Sequence, residues 1–497
     1  MKPKGKAGRP LLQNPQNRSS PPSFSRSFSG DLAKDKGGKR DSDDSWTGVA
    51  PARRAAFDVL FQVGHRRDHS DELLHSPRLD ALNGQDRNLT MALVMGVLRW
   101  QIALDAQLRT FLTRPDQPMA DEIWIALRMG AFQLLHMDRI PAHAALSESV
   151  AICRAAGQEH AAGMVNAVLR RLTREPVQGA KLYESTAAIA ERLAHPAWLV
   201  ERWVRTYGRP AALAICEAGL QEPRGPGSSG MFASSAGPGG RADTAGFDDP
   251  LILEELAGLS SESSPSMDDG SRLVGEIAAV AAPAVSGRAV RAWDCCAAPG
   301  GKTMLLARRL IGADLLATDA SKRRLQATEQ RIGGLATSAG SGGTTRCLVA
   351  NATALPVEEG MFDLVLCDVP CSGTGTLARN PEIRHRLHPE DLARQAQRQK
   401  ELLRAAMARV AAGGRLVYST CSLEPEECEQ VVEALEDGWR RVPVADLLRT
   451  LQDRRILREG IKLESLLLDK QLRTFPGVHG CDGFYAVVLE RRTLPLS

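Results

Sequence analysis

No apolar run in the sequence approaches 18 residues, so no stretch reads as a membrane span. No apolar segment follows the charged N-terminus, so no secretory signal is expected. The ten cysteines form neither a disulfide framework nor a pair of CxxC zinc spacings. They are scattered, with one adjacent pair at Cys295-Cys296. A reduced, cytoplasmic setting without a metal is therefore expected. Excess charge is missing as well: the formal net charge is +4, which announces no polyanionic partner by itself. Residues 1–48 lack the apolar content for a core and are rich in Pro, Ser, Gly, Lys and Arg. The first thirty carry six basic residues and no acidic one, so a disordered tail is expected, either simply solvated or a weak polyanion tether.

What remains is ordinary globular composition over 497 residues, enough for about two to four domains. In "QDRNLTMALVMGVLRWQIALDAQL", Leu89, Leu93, Val97, Trp100, Leu104 and Leu108 recur at steps of three and four, the buried face of a helix. "EIWIALRMGAFQLL" repeats the pattern with Ile123, Leu127, Ala131 and Leu134. "HAALSESVAICRAA" and "GMVNAVLRRL" add two more helices, and no strand-like alternation interrupts them. Residues 49–175 read as an all-α bundle. Residues 176–265 read as a linker and small docking region containing a low-complexity loop at 222–247. From 266 onward the rhythm changes. "RAVRAWD", "ADLLATD", "RCLVAN", "FDLVLCD" and "GRLVYST" alternate with helical stretches such as "RQKELLRAAMARV", the signature of a parallel α/β sheet. Ligands of such sheets lie beyond the carboxyl ends of the strands. Asp294, Asp319, Asn351, Asp368 and Thr420-Cys421 stand there.

The stretch "WDCCAAPGGKTMLLARRL" ends its glycine turn in Gly301-Lys302-Thr303, like a triphosphate-binding loop. Such a loop needs a further glycine five residues before its second, and Cys296 stands there instead. Pro299 removes another amide donor. A nucleoside cofactor without a large phosphate fits better. Gly300 and Gly301 permit close backbone approach. Asp319 suits ribose hydroxyls, and Asn351 suits an adenine edge. Each residue alone reads sooner as a turn cap, but their joint placement at successive strand ends favours a ligand, and S-adenosylmethionine fits the set. Two more strand ends carry thiols, Cys371 in "CDVPCSGTG" and Cys421 in "VYSTCS". A lone cysteine is usually a small buried hydrophobe. Both of these leave apolar strands for polar turns on the ligand side, where a reactive thiolate would sit.

"DCCAAPGGKT", "DVPCSGTG", "YSTCS" and "HGCDGFYAVVLE" resemble, in order, the motifs of NOL1/NOP2/Sun-type RNA cytosine-carbon-5 methyltransferases. "MDDGSRLVGEIA" and "HPAWLVERW" resemble segments preceding the first motif. "LRMGAFQLLHMDRIPAHAALSESVAI" and "AAGMVNAVLRRL" are similar to the NusB-type RNA-binding fold. That fusion is the architecture of the bacterial Sun/RsmB family, which methylates a cytosine of small-subunit ribosomal RNA. The resemblance implies a helical bundle followed by a Rossmann-like S-adenosylmethionine-dependent methyltransferase domain at 266–497, acting on RNA as a monomer. By position, Cys296, Ala297, Ala298, Pro299, Gly300, Gly301 and Lys302 would line the methionine and ribose side of the cofactor. Asp319 would hold the ribose, Asn351 the adenine, and Asp368 the junction with the substrate. Cys421 would be the nucleophile, and Cys371 would assist product release. The family commonly has aspartate where Asn351 stands, and asparagine keeps the acceptor but loses the charge. The segments 222–247 and 333–346 are low-complexity here. The alternatives are the same chemistry on transfer RNA or another RNA, and a non-catalytic antitermination-type RNA-binding protein. The helical domain is expected to dock RNA, with Arg53, Arg54, Arg170 and Arg171 near its two ends.

Overall fold

The computed structural model describes residues 46–66, 69–175, 184–223, 229–232, 267–333, 343–433 and 437–493. Residues 1–45 of the tail expected over 1–48, most of the 222–247 stretch and residues 334–342 lie outside the described residues. Trp46 belongs to the folded part, three residues inside the expected tail, because its indole packs on Phe57 with ring centroids 5.3 Å apart.

Six helices form the first body: α1 (Pro51–Arg66), α2 (Ser70–Leu74), α3 (Gly84–Arg109), α4 (Asp121–His136), α5 (Ala142–Ala155) and α6 (Ala162–Leu172). The three-and-four spacing has the expected result. Leu93, Val97, Leu104 and Leu108 of α3 and Ile123, Leu127 and Ala131 of α4 are buried together in one cluster. Each fully buried leucine contributes about 2 kcal/mol relative to exposure, far more than helix propensity does. Asn83 starts α3 by accepting the Asp86 amide at 2.9 Å. Gly96 lets α3 and α4 close up, since a Cβ there would lie 1.9 Å from the Phe132 ring. By length and composition α3 could cross a membrane, contrary to the run-length expectation. Hydropathy averages over its small residues, which the count of apolar runs passed over, and its leucines are spent on the bundle core.

Helices α7 (Thr186–Arg192), α8 (Ala197–Tyr207) and α9 (Arg209–Leu220) follow. Their apolar faces, with Leu199, Trp203 and Ile215, bury Leu377 and Leu423 from the second half of the chain.

The second half is built on a nine-stranded sheet of order β3-β2-β1-β4-β5-β9-β8-β7, with β6 paired to β9. The strands are β1 (Arg291–Asp294), β2 (Asp314–Asp319), β3 (Thr345–Val349), β4 (Phe362–Asp368), β5 (Val410–Thr420), β6 (Trp439–Val442), β7 (Leu467–Leu468), β8 (Gln471–Arg473) and β9 (Tyr485–Arg491). β1 to β5 pair in parallel, as expected. β6 to β9 add an antiparallel half that the sequence reading did not separate. Among the described residues, this half also carries helices α10 (Asp269–Ala281), α11 (Gly301–Arg309), α12 (Lys322–Gly333), α13 (Ile383–Arg386), α14 (Pro389–Ala408) and α15 (Val444–Asp453). Leu364 and Leu366 of β4 pack with α10, α11 and α15, while Val365 and Cys367 pack with α14. Both sheet faces are therefore covered, which is why these strands read as continuous apolar runs. The strand order reverses between β1 and β4, and the crevice for a ligand opens at their carboxyl ends.

The helical bundle is docked on this second half through residues 378–386. Glu382 accepts the Ser70 amide (3.2 Å) and hydroxyl (2.9 Å) at the start of α2. Arg384 donates to the carbonyls of Arg99 (2.8 Å), Ala194 (3.1 Å), Gly219 (3.0 Å) and Leu377 (3.2 Å). His385 Nε2 donates to Leu98 O at 2.7 Å, and Arg99 donates back to Ala378 O at 3.0 Å. Arg384 is 2% exposed and touches all three parts of the chain.

Candidate active site

The glycine turn grows directly out of β1. The Cys295 amide donates to Leu366 O at 3.0 Å and the Ala297 amide to Thr318 O at 2.9 Å, so the backbone stays on the sheet beyond Asp294. Gly300 then turns at φ +99°, where a Cβ would lie 2.8 Å from the Thr328 side chain. A residue other than glycine is excluded there on both counts. Gly301 opens α11, whose first amides face the crevice end of the sheet.

The acidic strand ends are held in different ways. Asp294 is buried; Thr303 Oγ1 donates to its Oδ2 at 2.7 Å, and its Oδ1 has no partner of normal hydrogen-bond geometry. Burial pushes its carboxyl up to about 7, against the help of Thr303. Asp368 is fully engaged: Lys302 Nζ reaches Oδ2 at 2.8 Å and Ser419 Oγ reaches Oδ1 at 2.7 Å. Lys302 also donates to Ser271 Oγ at 2.8 Å, tying α10 to the site. Asp319 is 4% exposed, accepts the Ser321 amide at 2.8 Å and pairs with Arg324 at 3.1 Å. Asn351 is exposed, and its Oδ1 caps the following 3-10 turn through the Thr353 amide at 3.1 Å. Both residues therefore do cap turns. Asp319 keeps lone pairs on Oδ2 for a ligand beyond its long contact with Arg324, and Asn351 keeps its amide NH2.

Cys371 and Cys421, fifty residues apart, meet with their sulfurs 3.3 Å apart. The Cys371 thiol beside it, and then burial, push the Cys421 thiol well above the ordinary range, with Lys302 opposing. The resting protein thus holds Cys421 as a neutral thiol against Cys371. Cys296 is also pushed well above, by the neighbouring Cys295 thiol and burial.

Several contributors were not legible in the sequence. Arg379 bridges Asp482 (2.8 Å) and Asp268 (3.1 Å), which explains why "MDDGS" and "HGCDGF" belong to one site. Burial, then Asp268, raises the Asp482 carboxyl to about 7. Trp203 Nε1 and Arg202 of α8 donate to Glu424 at 2.9 Å, and the Tyr207 hydroxyl donates to Leu423 O, so α8 holds the turn after Cys421. Glu427 binds both cysteine-bearing turns. The acid-rich "EPEE" was visible, but nothing in it marks one glutamate as buried. No group of acidic, histidine or cysteine residues among the described residues has the makings of a metal site.

A family model described as "16S rRNA methyltransferase RsmB/F" matches residues 287–490, and one described as "NusB family" matches residues 50–174. A ribosomal RNA small subunit methyltransferase B from Xanthomonas campestris is 32% identical over 82% of this chain and 89% of its own. A probable ribosomal RNA small subunit methyltransferase B from Bacillus subtilis is 28% identical over 88% of this chain and 98% of its own. A solved structure titled PH0851 superposes with a TM-score of 0.61 at 19% identity, covering 89% of this chain and 99% of that one, a likeness of fold.

Proposed function

Because the chain belongs to the ribosomal RNA small subunit methyltransferase B family, with a NusB-family domain before its Rossmann-like half, we propose that it methylates carbon 5 of a cytosine in small-subunit ribosomal RNA. The observation that carries this reading is the pair of sulfurs 3.3 Å apart beyond β4 and β5. S-adenosylmethionine, when bound, supplies a methyl group activated on a sulfonium. Cys296 to Lys302 would line its methionine and ribose side, Asp319 its ribose and Asn351 its adenine. The Cβ-free glycine turn, the Asp294 Oδ1 without a normal hydrogen-bond partner and the lone pairs of Asp319 Oδ2 fit a polar nucleoside ligand there.

Carbon 5 of cytosine is a poor nucleophile. Cys421 corrects this by adding its sulfur to carbon 6 as its thiol proton passes to ring nitrogen 3, which leaves carbon 5 enamine-like and electron-rich. Asp368, fixed by Lys302 and Ser419, lies at the junction of cofactor and base. After methyl transfer, carbon 5 must lose its proton and carbon 6 must expel Cys421. Cys371 stands beside the leaving sulfur and takes that proton, directly or through water, while its own passes to the departing Cys421 sulfur. The base must leave its stack to reach both thiols, so duplex geometry cannot select the target by itself. The NusB-like domain supplies a second RNA contact, and the reaction belongs in the reducing cytoplasm, which suits ten free cysteines.

The test is bisulfite sequencing of small-subunit ribosomal RNA after incubation with the protein and S-adenosylmethionine. One cytosine should become protected from conversion. Protection of none, or protection only of transfer RNA supplied in parallel, contradicts the reading. Asp319→Ala should weaken binding of the methyl donor by about 1–3 kcal/mol in calorimetry, the cost of unpairing buried polar groups. Unchanged affinity would remove Asp319 from the cofactor site.

A further inference from the structure

Glu427 is fully buried, and the chemistry above makes no use of it. It closes the 3-10 turn Pro425–Glu427 that follows Cys421. Burying a carboxylate is costly, and a cation usually accompanies it. Among the described residues its side-chain partners are instead neutral donors. Oε1 accepts the Ser372 amide at 2.9 Å and Gln399 Nε2 at 3.0 Å. Oε2 accepts the Ser372 hydroxyl and, at 2.5 Å, the Ser422 hydroxyl.

Sequence position unites these donors. Ser372 follows Cys371, and Ser422 follows Cys421. One oxygen thus takes a hydroxyl from each cysteine-bearing turn, and the two hydroxyl oxygens are 3.1 Å apart. Gln399 also donates to Pro370 O at 2.9 Å, so the Cys371 turn is gripped on both sides of its thiol. Backbone contacts run alongside: the Gly375 amide donates to Cys421 O at 2.9 Å and the Leu423 amide to Thr374 Oγ1 at 2.9 Å. If filling the core were all that was needed, an apolar side chain would serve at lower cost. A carboxylate offers two acceptor oxygens in one plane and short, charge-assisted bonds, which fix geometry more sharply than packing does.

We propose that Glu427 is a positioning residue that clamps the turns carrying Cys371 and Cys421 to one carboxylate and so sets the distance between the two thiols. It touches neither RNA nor methyl donor. The proposal rests on the reading of Cys421 as nucleophile and Cys371 as the thiol that clears the product. When the clamp is loosened, Cys421 still adds to the base, but Cys371 no longer stands where the proton must be taken. The signature is an adduct that forms and fails to resolve.

The experiment uses the full chain, small-subunit ribosomal RNA and S-adenosylmethionine. Glu427→Ala, Glu427→Gln, Ser422→Ala and Cys371→Ala are compared for turnover, for protein–RNA adduct on denaturing gels, and for melting and methyl-donor binding. Glu427→Ala should bind the methyl donor normally and turn over about 100-fold more slowly, the usual penalty for a misplacement of about 1 Å. It should accumulate adduct as Cys371→Ala does. Glu427→Gln should recover part of the rate, because its amide can donate where the serine hydroxyls rotate to accept. Should Glu427→Ala not fold, Ser422→Ala carries the test, since it removes only the hydroxyl link to the Cys421 turn and should also trap adduct. Wild-type turnover without trapped adduct in the folded Glu427 and Ser422 variants, while Cys371→Ala does trap it, overturns the clamp alone. Absence of adduct in Cys371→Ala itself would overturn the reading of the thiols, and the clamp with it.

Discussion

Replacing Cys371 by alanine is expected to leave the protein covalently attached to its RNA, whereas replacing Cys421 should abolish both attachment and methyl transfer. The two sulfurs lie within 3.3 Å, so the substitutions are close in space and opposite in effect. Without Cys421 no sulfur adds to carbon 6, and carbon 5 stays unreactive. Without Cys371 the addition and transfer still occur, but the proton on carbon 5 loses its acceptor. Loss of a general base typically slows a step by about 10²–10⁴-fold, enough for adduct to dominate on a denaturing gel. Cys421 follows the last residue of β5, and its thiol is held neutral chiefly by Cys371. The reverse pattern, with adduct in Cys421→Ala and none in Cys371→Ala, would exchange the roles.

Arg384→Ala should destabilise the whole chain by roughly 3 kcal/mol or more, because the buried carbonyls of Ala194, Gly219 and Leu377 lose a strong donor and that of Arg99, already bonded within α3, loses a second. Those of Arg99, Ala194 and Gly219 belong to α3, to the end of α7 and to the end of α9, so one side chain joins three parts of the fold. Burial lowers the Arg384 pKa to about 9, which leaves the guanidinium charged at neutral pH. Lysine should not rescue it, because an ammonium cannot present donors in a planar fork. The readout is thermal unfolding followed by circular dichroism and by activity on RNA. The variant should melt several degrees lower and lose activity at temperatures where the wild type is folded. Unchanged melting would mean that the bundle is tethered and not docked.

The parts of this protein that could be read from sequence are those written in short-range pattern. The face of α3 follows from its three-and-four spacing, and Asp294, Asp319 and Asp368 stand at strand ends because a polar residue closes each apolar run. Both thiols could be singled out by the turns they enter. The antiparallel pairing of β9 with β5 was not visible, since an apolar strand buried on two faces carries no mark of its direction. Glu427 is one acid among several in "EPEE", and Arg384 one of three basic residues in "IRHR", so local pattern singles out neither. Their roles come from partners that the chain brings in from far away: Ser372 for Glu427, and Arg99 and Gly219 for Arg384. Asn351 shows the opposite case. Its turn-capping contact was foreseeable from local chemistry and is present, while its place beside an adenine remains a proposal.

The central claim is that Cys421 adds to carbon 6 of the target cytosine while the methyl group goes to carbon 5. Small-subunit ribosomal RNA containing 5-fluorocytidine tests it directly, because fluorine at carbon 5 cannot depart as a proton and the adduct cannot resolve. After reaction with S-adenosylmethionine, digestion and mass spectrometry should find a methylated fluorocytidine nucleotide on the peptide that contains Cys421. No covalent product, or the nucleotide carried on Cys371, would contradict the account.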